Sequence, residues 1–492
     1  MKKNAVIIGS GIAGLAASVR LANMGFRVSV IEKESYPGGK LSTFNLGEYR
    51  FDRGPSLFTM PSLVDDLFLL CGRNPKDDFR YKRLDESCRY FYEGGKKFIA
   101  YSSLEKMRRE LESSFPEDAD AFFDLLEHSK FLFKNLSPVF LEISLHRPAH
   151  LLKRHTFNAV LNSWRMGITG NLHQSHRKAF KSPHLIQYFD RFATYNGSDP
   201  YRAPATLNII PHLEHGIGTF IPENGMGDIT KAVFGLAKDL GVEFYFSSRA
   251  KEIIHEGDRV VGVRSDNEQF FDSDVVVSNM DIWFTYRELL KNYKAPEKLL
   301  RQEKSSSALV FYWAVNRTFA ELGLHNIFFS DDYKGEFSHI SDGKGAHHDP
   351  TVYINITSKE VPTDAPAGCE NWFVMVNASN HVGQDWDTVL NESRAAVKAK
   401  LSRILGIDIS PFIQAERVWT PPGIEELTGS FRGALYGNAS NGKYAAFLRH
   451  PNFSSRISGL YFCGGSVHPG GGIPLCLRSA EIVAKCIQED IS

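Results

Sequence analysis

An unbroken apolar run, Ala5 to Ile8, opens the chain and stops at Gly9, which predicts a buried parallel strand. Leu15, Val19 and Leu21 then fall at helical spacing, and Gly25 stands where a helix C-terminus favours glycine. Arg27 to Ile31 predicts a second strand. Farther on, Gly54 and Pro55 mark a turn that leads into a helix over Ser62 to Leu70. Two aromatic and β-branched runs around Gly94 and Gly95 predict a hairpin from Arg89 to Tyr101, and a helical pattern follows from Leu104 to Leu136. Tyr195 to Gly227 is punctuated by Gly and Pro and predicts loop. Strand and helix alternation then returns, with a helix over Asp228 to Leu240 and strands over Val242 to Phe246 and Asp274 to Ser278. Between Ser307 and Ser379, the runs ALVFYWAV, TVYINITS and NWFVMVNA predict three strands of a second sheet, and a helix follows from Trp386 to Leu405. The chain closes on the strand GLYFCGG, the turn HPGGGIP and a helix over Leu475 to Ile487.

Composition narrows the class. At 492 residues the chain exceeds one ordinary core, so two or three domains are expected. Lys plus Arg equals Asp plus Glu at 57 each, which gives no electrostatic case for nucleic acid. The 36 phenylalanines leave ample apolar material for a core or an oily ligand. Cys71, Cys88, Cys369, Cys463, Cys476 and Cys486 form no metal-ligand spacing, so a reducing cytosolic setting and no metal are expected. No run reaches the roughly 18 apolar residues of a spanning helix. Met1, Lys2 and Lys3 before an apolar stretch imitate a signal peptide, but the glycine motif after it accounts for the stretch.

That motif, GSGIAG, carries chemistry. Gly9 permits the tight turn, Gly11 lets backbone approach a pyrophosphate, and Gly14 lets the helix pack closely on the strand. Ile12 and Ala13 open the helix, whose free N–H groups and positive dipole end face the phosphates. Glu32 stands at close to the roughly 20-residue spacing at which an acid meets a ribose hydroxyl, and it argues against a 2′-phosphate. Lys33 adjoins it as a further cofactor contact.

The continuation of the chain past Lys33 separates FAD from NAD. Pro37, Gly38, Gly39 and Lys40 resemble the GG(R/K) extension of the flavoprotein superfamily that contains amine oxidases, protoporphyrinogen oxidases and carotenoid desaturases. The segment YNGSDPYRAP from Tyr195, the turn at Asn224 and Gly225, and the run from Gly464 to Ala480 are similar to the phytoene-desaturase-type signatures within it. Asn224 and Leu475 replace glycines of those signatures. The resemblance spans nearly the whole chain, and its nearest branch is the bacterial 1-hydroxycarotenoid 3,4-desaturases. It implies that Gly39 and Lys40 help hold the diphosphate, and that Gly54, Pro55, Ser56 and Leu57 lie beside the flavin. It also implies FAD contacts at Ala250 and Asn279, and at Gly464, Gly465, Gly472, Ile473 and Pro474. Arg53 replaces a small residue, which places a cation either near the flavin or in solvent.

The implied fold is α/β: a discontinuous Rossmann-type FAD-binding domain (1–75, 225–290 and 450–492), a mixed-sheet substrate domain (76–105, 195–224 and 291–449) and a helical lid or membrane-facing region (106–194). The implied reaction removes two hydrogens from an acyclic polyene end and adds one conjugated double bond. Oxygen, quinone or another acceptor then reoxidises the flavin. His468 lies inside the terminal motif, yet a histidine there serves equally by bonding to backbone, so no catalytic base is assigned. Burying roughly 400 Å² of polyene is worth about 10 kcal/mol against water but little against lipid. The protein is therefore expected to collect its substrate from a membrane surface, peripherally and from the cytoplasmic face. Lys153, Arg154, Arg165, Arg177 and Lys178 among long apolar groups suit an anionic surface, and they equally suit a solvated rim on core helices. A phytoene or diapophytoene desaturase, an FAD oxidase of amines or porphyrinogens, and a non-catalytic lipid-binding escort protein of the same fold are the alternative functions.

Overall fold

The computed structural model describes residues 2–151, 156, 161–162, 166, 170–442, 444–445 and 447–491. One sheet is wholly parallel and runs in the order Leu460–Phe462, Val275–Ser278, Asn4–Ile8, Arg27–Ile31 and Glu243–Tyr245. Ile8 pairs with both Ile31 and Ser278, so the three central strands stop level with one another. Successive residues of the first strand face opposite layers. Ala5 and Ile7 pack with Leu15 and Val19 of the helix Ile12–Asn23, Val233 of Gly227–Asp239 and Leu477 and Val483 of Ile473–Ile491. Val6 and Ile8 pack with Ile253, Val263 and Phe271 of a small antiparallel sheet, Ala250–Glu256, Arg259–Ser265 and Phe270–Asp272. Cover on both faces is why the strand reads as a continuous apolar run.

A seven-stranded sheet runs in the order Ile413–Trp419, Ser307–Val315, Glu370–Ala378, Val352–Ile356, His325–Phe328, Glu86–Phe91 and Lys97–Tyr101. Its one parallel pair joins His325–Phe328 to Glu86–Phe91. Every residue of Ser307–Val315 is buried. Leu309, Phe311 and Trp313 face Val397 and Leu401 of the helix Trp386–Leu405, while Val310 and Tyr312 face Tyr49 and Phe51 of the ribbon Thr43–Leu46 and Tyr49–Asp52.

Three expectations need correction. The helix expected from Leu104 to Leu136 is two, Leu104–Ser114 and Ala119–Phe140, broken at Phe115 because Pro116 lacks the N–H that would continue the first. The stretch expected as loop from Tyr195 holds helical turns at Ala205–Ile209 and His212–Ile217 and the strand Phe220–Pro222, which pairs with Tyr81–Arg83. The strands His325–Phe328 and Ile413–Trp419 carry little apolar periodicity of their own and come from pairing partners far along the chain. Of the expected basic rim, Arg177 and Lys178 are exposed on the helix Leu172–Ala179, whereas Lys153, Arg154 and Arg165 lie outside the described residues.

Candidate functional site

The two glycine-rich ends meet at the level edge of the parallel sheet. Asn279, just past Val275–Ser278, donates from Nδ2 to the Gly9 carbonyl at 3.3 Å. A Cβ on Gly11 would approach that same nitrogen to 2.9 Å, and one on Gly14 would lie 2.1 Å from the Gly9 oxygen. Gly464 has φ +102°, and a Cβ there would lie 2.7 Å from Asn279 Oδ1. One asparagine therefore pins both glycine turns.

A cavity of about 1260 Å³ opens over this junction, larger than the roughly 300–1,000 Å³ of ordinary ligand sites. Its wall includes Gly9, Gly11, Ile12, Ala13, Glu32, Lys33, Gly39 and Lys40 from the first motif. Gly54, Pro55, Ser56 and Leu57, then Ala250 and Asn279, and finally Gly464, Gly465, Gly472, Ile473 and Pro474 complete the expected set. Gly14 alone among the sequence candidates is off the wall, because it is buried beneath the turn where the helix meets the strand.

The Glu32 carboxylate is held from two sides. Oε2 accepts from the Ser10 amide and hydroxyl, both at 2.7 Å, and Oε1 from the Glu34 amide at 2.9 Å. Lys40 donates to the Leu435 carbonyl at 3.1 Å; burial lowers its pKa, and the nearby carboxylate of Asp281 opposes that shift. Burial in turn raises the Asp281 carboxyl, against bonds from the Trp283 and Phe431 amides. Arg53 also lines the cavity, with its guanidinium 5.0 Å from the Tyr36 ring centre and bonded to the Tyr36 hydroxyl at 2.6 Å. His468 is turned away: its Nε2 meets the Ile143 carbonyl at 2.9 Å, and burial pushes its pKa down to about 4. It holds the terminal turn and does not face the cavity.

Beyond Ser56 the wall becomes apolar through Phe133, Leu136, Val139, Phe140, Leu145 and Met166. Set into it is a buried polar cluster whose ion pair no sequence pattern marked. Arg191 Nη2 and the Tyr195 hydroxyl both donate to Glu214 Oε2, at 3.0 and 2.5 Å. Burial raises the Glu214 carboxyl, but Arg191, His215 and the bond from Tyr195 outweigh it and hold the group below the usual carboxylate range. Tyr353 joins Ser56 at 2.7 Å to His325 Nδ1 at 2.8 Å. The two halves of the ion pair stand 23 residues apart with no local periodicity, and His325 joins the same cavity wall from a strand far along the chain.

The cradle fits a dinucleotide: Gly9 and Gly11 present bare backbone to the cavity, Gly14 lets the helix close on the strand beneath them, and the held acid at Glu32 matches a ribose. The flavin containing amine oxidoreductase model matches residues 12–488. The chain belongs to that family. It is an FAD-dependent oxidoreductase, and Gly9 to Gly14 and Glu32 are the residues that would hold the adenosine diphosphate half of FAD. Among relatives, the chain is 49% identical over 485 residues to a 1-hydroxycarotenoid 3,4-desaturase of Flavobacterium sp. (strain P99-3), covering 99% of each chain. It is 32% identical to a 4,4'-diapolycopene oxygenase of Methylomonas sp, covering 99% of this chain and 98% of that one. The solved structure of cyclohexylamine oxidase from Brevibacterium oxydans IH-35A superimposes with a TM-score of 0.64 at 15% identity, over 100% of both chains, a likeness of fold.

Proposed function

We propose that this family member is a carotenoid desaturase that introduces the 3,4 double bond into an acyclic end bearing a 1-hydroxyl group. One observation carries the reading: a single cavity runs from the nucleotide cradle into the apolar wall of Phe133, Leu136, Val139 and Phe140, a lining suited to a polyene and unsuited to a charged amine. The 49% identity over nearly all of both chains supports the choice of branch.

FAD, when bound, supplies the acceptor for a hydride from one carbon while the neighbouring carbon loses a proton. The chain supplies position and environment. The apolar wall keeps water from the reacting bond, and the N-terminus of Ile473–Ile491 lies on the cavity wall, where its positive dipole end would favour negative charge on a bound flavin. The segments that build the parallel sheet support assigning 1–75, 225–290 and 450–492 to the FAD domain. They leave 76–105, 195–224 and 291–449 for the substrate and 106–194 for the helical cover.

Entry is from a lipid surface on this reading. Phe447 and Leu151 line the cavity yet are 48% and 37% exposed, and Leu448 beside them is 52% exposed, so the mouth wears an apolar rim. Among the described residues no helix is long and apolar enough to cross a membrane. Peripheral docking is therefore the mode proposed, with dioxygen or a quinone as the final electron acceptor.

The test is turnover by flavin-loaded protein in liposomes of phytoene, neurosporene and a 1-hydroxylated carotenoid, each read by the absorbance of lengthened conjugation. Conversion of the hydroxylated substrate is expected, with either acceptor supplied in turn. Conversion of phytoene alone would overturn the branch, and a protein that takes up no flavin would point to an escort role. Phe447→Asp with Leu448→Asp is expected to abolish flotation with vesicles while leaving FAD content intact.

A further inference from the structure

Resting on the desaturase reading, we propose that Glu214 and His325 form the subsite that recognises the substrate hydroxyl, His325 by donating to its oxygen and Glu214 by accepting its proton in a hydrogen bond. Two residues of the cavity wall each carry a buried polar atom without a partner, one a donor and one an acceptor. Glu214 is 1% exposed and His325 3% exposed, and both line the cavity. The bonds from Arg191 and Tyr195 all go to Glu214 Oε2, and Oε1 is a buried acceptor without a partner. His325 Nε2 is likewise buried without one.

The surroundings fix what each atom offers. Asn355 Nδ2 donates to the Leu324 carbonyl at 3.2 Å, which sets the orientation of its amide. The same nitrogen lies 3.2 Å from His325 Nδ1, so Nδ1 accepts and carries no proton. Burial pushes the His325 pKa down to about 4, and the neutral ring must therefore carry its single proton on Nε2. The charges of Glu214 and Arg191 both bear on the His325 ring, in opposite directions. A free N–H donor and a free carboxylate acceptor on residues of one cavity wall match the acceptor and donor of one alcohol.

The location agrees with the chemistry. In a 1-hydroxylated end, only the C2 methylene separates the hydroxyl-bearing carbon from the 3,4 bond, so the oxygen lies within roughly 5 Å of C4 by ordinary bond lengths. The hydroxyl subsite must then adjoin the flavin-facing loop. His325 meets that condition: Nδ1 shares the Tyr353 hydroxyl with Ser56, which belongs to the Gly54–Pro55–Ser56–Leu57 loop. Other cations on the wall do not match. Lys40 is bonded to the Leu435 carbonyl and Arg53 to Tyr36, and Arg449, although its Nη1 has no partner, offers donors only.

The experiment compares kcat/KM in liposomes for a 1-hydroxylated carotenoid and the same polyene lacking the hydroxyl. A site built around a hydroxyl should prefer the alcohol by at least ~100-fold in the wild type. His325→Phe keeps the Arg191–Glu214 pair and is expected to bring that ratio down to within about tenfold of unity, almost entirely through the hydroxylated substrate. His325→Gln restores an N–H donor and is expected to recover much of the ratio, and Glu214→Gln to lower it. Flavin content and thermal unfolding report folding; if His325→Phe fails to load FAD, the His325→Gln and Glu214→Gln ratios decide. A wild-type ratio near one, or variants that lower both substrates equally, would overturn the subsite while the desaturase reading stands. No turnover of either substrate by flavin-loaded wild type would instead overturn the desaturase reading.

Discussion

Gly14→Ala tests whether helix and strand are packed against a backbone limit. The new Cβ would stand 2.1 Å from the Gly9 carbonyl oxygen and 3.0 Å from Asn279 Nδ2. Alanine favours the helical conformation by about 1 kcal/mol over glycine. Against that gain, a contact this short with main chain is relieved only by moving the helix Ile12–Asn23 off the sheet by roughly 1 Å, and overpacking of that kind costs about 1–3 kcal/mol or more. The net is a loss, and it falls on the turn proposed to hold the phosphates. Gly235→Ala is the control: it lies in the helix Gly227–Asp239, and its Cβ would meet nothing within 4 Å. Helix propensity then acts alone and should stabilise by about 0.5–1 kcal/mol. The assay is thermal unfolding followed by flavin release, with FAD stoichiometry of the purified proteins. Gly14→Ala should unfold earlier and lose flavin, and Gly235→Ala should unfold slightly later with full flavin. A Gly14→Ala protein as stable and as flavin-rich as Gly235→Ala would refute the packing argument.

Glu32→Ala removes the acceptor of three hydrogen bonds, from the Ser10 amide and hydroxyl and the Glu34 amide. It is expected to weaken FAD binding by tenfold or more, at about 1–3 kcal/mol for the buried donors left unpaired, and fluorescence titration of apoprotein measures it. His450 and His468 are both held down to about 4 by burial, below the roughly 6.5 of an unfolded histidine. Their folded-state pKa is depressed, so between about 4 and about 6.5 the unfolded chain binds more protons. Their contribution is complete above pH 6.5 and is lost as pH falls from about 6.5 to about 4. The midpoint of thermal unfolding should therefore drop steeply over that interval, and a flat profile between pH 7 and 5 would contradict it. Arg191→Met leaves the buried Glu214 carboxylate without its cation, and is expected to destabilise by about 3–5 kcal/mol, while Arg191→Met with Glu214→Leu recovers most of the loss.

Local sequence was enough wherever a physical constraint acts between near neighbours. The run Ala5 to Ile8, the glycines after it and Glu32 are legible because a strand, a phosphate turn and a ribose acid must succeed one another within about 20–25 residues. The helices Ser62–Leu70 and Trp386–Leu405 are legible for the same reason, since their apolar spacing belongs to the segment itself. The terminal run from Gly464 to Ala480 identified the kind of flavoenzyme, because a turn ahead of a helix N-terminus is also a local device.

Where the constraint acts across the chain, only the folded molecule decides. The strand His325–Phe328 exists because Val352–Ile356 and Glu86–Phe91 pair with its two edges. Asn279 touches Gly9 some 270 positions away, which joins the two glycine turns into one cradle. Arg191, Glu214 and His325 set polar groups into one cavity wall because two helical turns and the start of a strand line it, and no spacing of those residues along the sequence encodes that meeting. By itself the sequence determined the parallel sheet and the flavin cofactor, whose recognition runs through backbone turns. The tertiary structure alone decided which side chains line the cavity, because a pocket is assembled from residues that share a place and not a segment.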